Sequence, residues 1–153
     1  AASESSVDNE MVSELIEASS GTGFAISYSG HVVTGHHVIE ACEKIKIHNN
    51  NNVVDAIVVA SDIINDLVIL KSEIKPTKVL SLSKEIPELL QEIYVAGFPY
   101  GKKLSSSLTI NDGVISNLSG AGDNLSNITI DASMQPGNSG GPIVLKKMVM
   151  LLA

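Results

Sequence analysis

The stretch QPGNSGGP, residues Gln135–Pro142, sets one serine among three glycines and two prolines. Such a concentration makes sense if the serine hydroxyl has to be presented to another molecule. A serine is a weak nucleophile unless a base removes its proton and nearby donors bind the oxyanion that forms. Gly137 lets the backbone come close to a bound carbonyl, and Gly140 and Gly141 leave room around Ser139. The segment Gly137, Asn138, Ser139 is the candidate oxyanion hole, with the N–H groups of Gly137 and Ser139 as donors. The same pattern also occurs in ordinary glycine-rich turns, so the reading depends on what precedes it.

A base must come from upstream, where His31, His36, His37 and His48 are available. His31 stands in a turn and His48 in a polar strand end before an asparagine run, and both read as solvent-facing. The pair in VVTGHHVIEAC follows an apolar strand and precedes a short helical turn. A side chain there is held rigidly and still faces a cleft. A carboxylate must then fix the imidazole tautomer. Asp62 and Asp66 both lie in ASDIINDLVILK, and Asp66 directly precedes the apolar run LVIL. The other reading of an aspartate here is a turn cap.

From Gly21 onward the chain consists of short β-branched runs broken by turn signals: TGFAIS, HVVTG, KIKIHN, VVDAIVVAS and DLVILK, then EIYVAGFP, SSLTIN, DGVISNLS, NITIDAS and GPIVL. The asparagines 49–52 mark one turn, and NDG at 111–113 is expected to close a tight hairpin. This pattern predicts an all-β protein, a barrel or sandwich in two halves. The expected divisions are an N-terminal helix or arm over 1–20, a first β-barrel over 21–75, a connection carrying Pro76 and Pro87 over 76–91, and a second barrel over 92–153.

Composition narrows the function classes. Of 153 residues, 44% are hydrophobic and the formal net charge is −7. All ten basic residues are lysines, and they are scattered, so no basic stripe follows a phosphate backbone and nucleic acid is a poor partner. No apolar run approaches the ~20 residues of a membrane span. The lone Cys42 reads as a small buried hydrophobe.

The order histidine, aspartate, serine along one all-β chain is that of chymotrypsin-type sites, not of subtilisin or the α/β-hydrolases. With that order in place, the blocks SSGTGFAIS, HVVTGHHVIEA, DLVILK, VAGFPYG, LTINDGVISNL and DASMQPGNSGGPIV resemble, in sequence and spacing, the trypsin-like serine protease domain of the HtrA/Deg family, from about Ser20 to Val144. The resemblance implies two antiparallel β-barrels of the chymotrypsin fold with the site at the cleft between them. It assigns the general base to His37, followed by Val38 and Ile39 as in the family, and makes His36 a neighbour. Asp66 becomes the orienting carboxylate and Ser139 the nucleophile. Ser133, six residues before the nucleophile, would form the floor of the specificity pocket, and Met134 and Gln135 its rim. Serine rather than aspartate there disfavours lysine or arginine substrates. The chemistry needs no metal and no cofactor.

The resemblance also implies polypeptide substrates such as unfolded proteins, a homo-oligomer, and work in protein quality control outside the cytoplasm. Relatives continue beyond the SGGP block, whereas this chain ends at IVLKKMVMLLA, so the second barrel is expected to be incomplete. Two functions stay open on this reading: a serine endopeptidase, and a catalytically weak or inactive protein of the same fold that binds peptides or proteins.

Overall fold

The computed structural model describes residues 17–99 and 107–146. Most of the helix or arm expected over 1–20 lies outside the described residues, as does the end of the chain beyond Lys146.

Alternation decides which face of each strand is buried. Along LVILKS the residues Val68, Leu70 and Ser72 are buried and the ones between them less so. Along EIYVAG the residues Ile93, Val95 and Gly97 are buried. This is the signature of half-covered antiparallel strands. Nine strands form among the described residues: β1 (Phe24–Ala25), β2 (His31–Gly35), β3 (Ile45–Asn49), β4 (Asn52–Asp62), β5 (Leu67–Ser72), β6 (Glu92–Gly97), β7 (Thr109–Asn117), β8 (Thr129–Ala132) and β9 (Ile143–Leu145). An α-helical turn, α1 (His36–Ile39), follows β2 directly.

The strands make two antiparallel sheets, ordered β1-β2-β5-β4-β3 and β8-β7-β6-β9. Val32, Val68, Leu70 and Ile74 form the core of the first, with Ile39, Ile45, Ile47, Val54 and Ala56 packed against them. Ile93, Val95 and Ile115 form that of the second, flanked by Ile130, Ala132 and Leu145. One extra residue, Val59, bulges from β4 where the register with β5 shifts. A bulge bends and twists its strand, and the first sheet curls into a half-barrel. It does not close, because residues 73–91, with Pro76 and Pro87, form no strand. From this segment the Leu80 N–H reaches β1, at Ala25 O (2.9 Å).

The asparagine cluster turns as expected: Asn49 pairs with Asn52, and Asn50 takes a left-handed φ of 53°. The hairpin expected at NDG does not form. Asn111, Asp112 and Gly113 lie inside β7, opposite Val95, Tyr94 and Ile93 of β6. Gly113 also faces Ala132 of β8, and a Cβ at Gly113 would stand 2.4 Å from Asp131 O and 2.6 Å from Ala132 Cβ. The glycine therefore serves the close approach of β8, not a turn.

Cys42 is only partly buried at the end of α1, its Sγ directed at Val38 O (3.8 Å). His31 is partly buried, and its Nδ1 bonds Ser27 Oγ (2.7 Å) and Ser29 Oγ (3.2 Å) in the β1–β2 turn.

Candidate active site

The β2–β5 ladder places the first two site residues. In that antiparallel register Gly35 faces Leu67, so the residues just after Gly35 meet those just before Leu67. The ladder runs one step further through the His36 N–H and Asp66 O, 3.1 Å apart. The chain then turns into α1, which swings His37 over the Asp66 carboxylate. The His37 N–H donates to Oδ1 (2.7 Å), and ring Nδ1 lies 2.5 Å from Oδ2.

Asp66 adopts a φ of 55°, a left-handed conformation that aspartate tolerates better than most side chains. Asp62 braces the preceding turn, accepting from the Asn65 N–H (3.0 Å) and Asn65 Nδ2 (2.7 Å). These bonds hold its carboxyl below the usual range. Asp62 is thus the capping aspartate of this loop, and Asp66 is the one that reaches the imidazole.

Partial burial pushes the Asp66 carboxyl up, but the His37 N–H, the His37 ring and the nearby His37 and His36 charge outweigh it and hold it low. An ionised carboxylate can only accept, so Nδ1 carries the proton of the neutral ring. That leaves Nε2 with its lone pair free, as a general base requires.

Ser139 arrives on the loop between β8 and β9. Its carbonyl accepts from the Thr22 N–H (2.8 Å). Gly21 is squeezed between the two halves: a Cβ there would lie 2.7 Å from Val38 Cγ1 and 2.9 Å from Ser139 O. The Ser139 carbonyl and the side chain that follows His37 thus border the same glycine. No hydrogen bond joins Ser139 Oγ to His37 among the described residues. Such contacts are often long before substrate binds.

The Asn138 N–H donates to Gln135 O (3.1 Å), closing a turn with Pro136 and Gly137 at its centre. The positive φ of Gly137, 98°, is that of a type II turn, for which proline followed by glycine is the preferred pair. Asn138 is buried, with its Oδ1 unpartnered among the described residues. Ser133, Met134 and Gln135 are exposed, and Ser133 O accepts from Asn111 Nδ2 (3.0 Å).

Two threonines escaped the sequence reading. Thr22 and Thr34 are buried and hydrogen-bonded around the Ser139 loop. The only mark on Thr22 was its place between two glycines in GTG. Among the described residues, no group of three His, Cys, Asp or Glu side chains is arranged to hold a metal ion, and no helix is long and apolar enough to cross a membrane.

Residues 21–150 match the family described as the trypsin-like peptidase domain. The chain belongs to this family. It is 38% identical over 128 residues to the uncharacterized protein y4bJ of Sinorhizobium fredii, covering 83% of this chain and 20% of that protein. It is 33% identical over 144 residues to the serine protease Do-like HtrA of Bacillus subtilis, covering 86% of this chain and 32% of that one. The crystal structure of the serine endoprotease from Yersinia pestis superposes with a TM-score of 0.67 at 31% identity, over 82% of this chain and 44% of that chain. The trypsin-like peptidase domain described here thus spans less than half the length of these relatives. Its strands, the curled half-barrel sheet and the second sheet follow the chymotrypsin-like arrangement of HtrA proteases.

Proposed function

We propose that this domain is a serine endopeptidase that hydrolyses peptide bonds through His37, Asp66 and Ser139. The observation that carries the reading is the two-point contact of His37 with Asp66, which uses Nδ1 and leaves Nε2 without a hydrogen bond among the described residues, while the next residue, Val38, and the Ser139 carbonyl both border Gly21. Ser139 Oγ bonds to the substrate carbonyl carbon while its proton passes to Nε2. The carbonyl oxygen becomes an oxyanion held by the N–H groups of Gly137 and Ser139, neither of which donates a hydrogen bond among the described residues. The C–N bond then breaks, and Nε2 returns the proton to the leaving amine. Water repeats the sequence on the ester, giving its proton to Nε2 and restoring Ser139.

Kinship with serine endoproteases of the HtrA type supports polypeptide chains as substrates, and we extend the reading to a part in protein quality control. In this reading Ser133 is the floor of the pocket for the residue preceding the cut, and Met134 and Gln135 form its rim. The missing Ser139–His37 hydrogen bond favours a second reading, in which the fold holds peptides without cutting them.

A fluorophosphonate probe with mass spectrometry decides between the two. Labelling of Ser139 that is lost in His37→Ala supports the peptidase. A folded protein left unlabelled supports the binding module.

A further inference from the structure

We propose that Thr22 is a positioning residue for the loop that carries the oxyanion donors, an inference that rests on the catalytic reading of Ser139. Thr22 is 3% exposed, and its backbone and hydroxyl are fully engaged. Its Oγ1 donates to Gly137 O (2.7 Å) and accepts from the Phe98 N–H (2.9 Å). Its N–H donates to Ser139 O (2.8 Å), and its carbonyl accepts from Thr34 Oγ1 (2.7 Å). One residue therefore ties the nucleophile loop, at two carbonyls, to the end of β6 and to β2 just ahead of His37.

The loop needs an outside restraint because glycine accepts either sign of φ. A turn centred on Pro136 and Gly137 can turn over a peptide plane at little steric cost, and an N–H aimed at substrate would then point elsewhere. Thr22 grips the peptide groups on either side of the one carrying the Ser139 N–H: through Gly137 O in the preceding group and Ser139 O in the following one. The peptide between them is set by its own bond, from the Gly141 N–H to Asn138 O (2.9 Å). In a trans peptide the N–H points opposite to the C=O. With the carbonyls of residues 137, 138 and 139 all bonded to protein, the Ser139 N–H faces the other way, toward the position of a substrate oxygen.

The backbone bond from Thr22 survives any substitution, so the hydroxyl is the part that can be tested. Valine matches threonine in shape but leaves Gly137 O and the Phe98 N–H without their partner. Serine keeps the hydroxyl. The experiment compares the full chain with Thr22→Val and Thr22→Ser in two ways. The first is the rate of Ser139 labelling against fluorophosphonate concentration. Misplacing an oxyanion donor is costly in rate, so the maximal labelling rate of Thr22→Val should fall about tenfold or more. Its half-saturating probe concentration should not change, and Thr22→Ser should stay close to wild type.

The second is amide hydrogen exchange at Asn138 and Gly141, whose own bonds do not involve Thr22. Exchange there should quicken in Thr22→Val and not in Thr22→Ser, with Ile93 and Val95 unchanged in both. Unaltered exchange at Asn138 and Gly141 in the valine variant overturns the proposal, as does a serine variant as slow as the valine one. A wild-type chain that takes no label overturns the catalytic reading instead, and the exchange result still decides the role of Thr22. If Thr22→Val does not fold by circular dichroism, the same readings are taken on Thr22→Cys, which is similar in size and a poor donor.

Discussion

His37 meets Asp66 through two different atoms, its backbone N–H on Oδ1 and its ring Nδ1 on Oδ2. The first bond fixes where the carboxylate sits, and the second uses it. Replacing Asp66 by asparagine keeps a group of the same shape but presents an N–H where the ring needs an acceptor. In Asp66→Asn the rate of Ser139 labelling should fall by about 10³–10⁴-fold with the fold retained. Asp62→Asn, which alters the turn brace, should stay within about threefold of wild type, a change of roughly 0.6 kcal/mol. Pre-steady-state labelling of the two variants side by side checks both.

The same contact has a pH signature. The Asp66 carboxyl is held low in the folded chain, so as pH falls the unfolded chain takes up this proton first. Stability from the contact is therefore complete above the ordinary carboxylate range, about pH 4, and is lost as pH drops through the depressed folded value. Melting temperature followed from pH 6 downward should show wild type above Asp66→Asn at the upper end and the two curves converging in acid. Because both side chains are about half exposed, solvent screens the pair and the separation should be small. Curves that run parallel down to the most acidic pH would contradict the assignment.

Gly113 is pressed against the backbone of β8. Gly113→Val should destabilise the chain by about 1–3 kcal/mol or more through overpacking, read as a lower midpoint in urea with an unchanged slope. A hairpin glycine facing solvent would have tolerated the change far better.

Ile93 and Ile64 separate core from surface. Ile93, 0% exposed, pairs with both Gly113 and Leu145 at the centre of the second sheet. Ile93→Ala should cost about 2–5 kcal/mol. Ile64, 96% exposed beside the Asp62 turn, should change stability by no more than about 0.5 kcal/mol as alanine. Urea titrations of both variants test whether the core lies where the burial places it.

These contrasts also mark what a sequence reader can see. Strand runs and the asparagine turn are local in cause and were legible. The contact of His37 with Asp66 was legible only in part: the histidine pair follows one apolar run and Asp66 precedes another, while the choice of His37 within the pair came from the family resemblance. Asn111–Gly113 misled because a turn signal is local, while the reason for that glycine is a strand arriving from residues 129–132. Thr22 was silent because its partners lie at positions 34, 98, 137 and 139. No spacing or periodicity announces a hydroxyl whose bonds span the length of the domain.

The β2–β5 register puts histidine and carboxylate on one sheet, complete by Ser72, while the serine comes from the other. During synthesis from the N-terminus, the acid–base pair can assemble long before residue 139 leaves the ribosome. On the proposed peptidase reading, a nascent chain of this kind gains its cutting group only with the second sheet, and so would not digest itself or its neighbours while it is still incomplete.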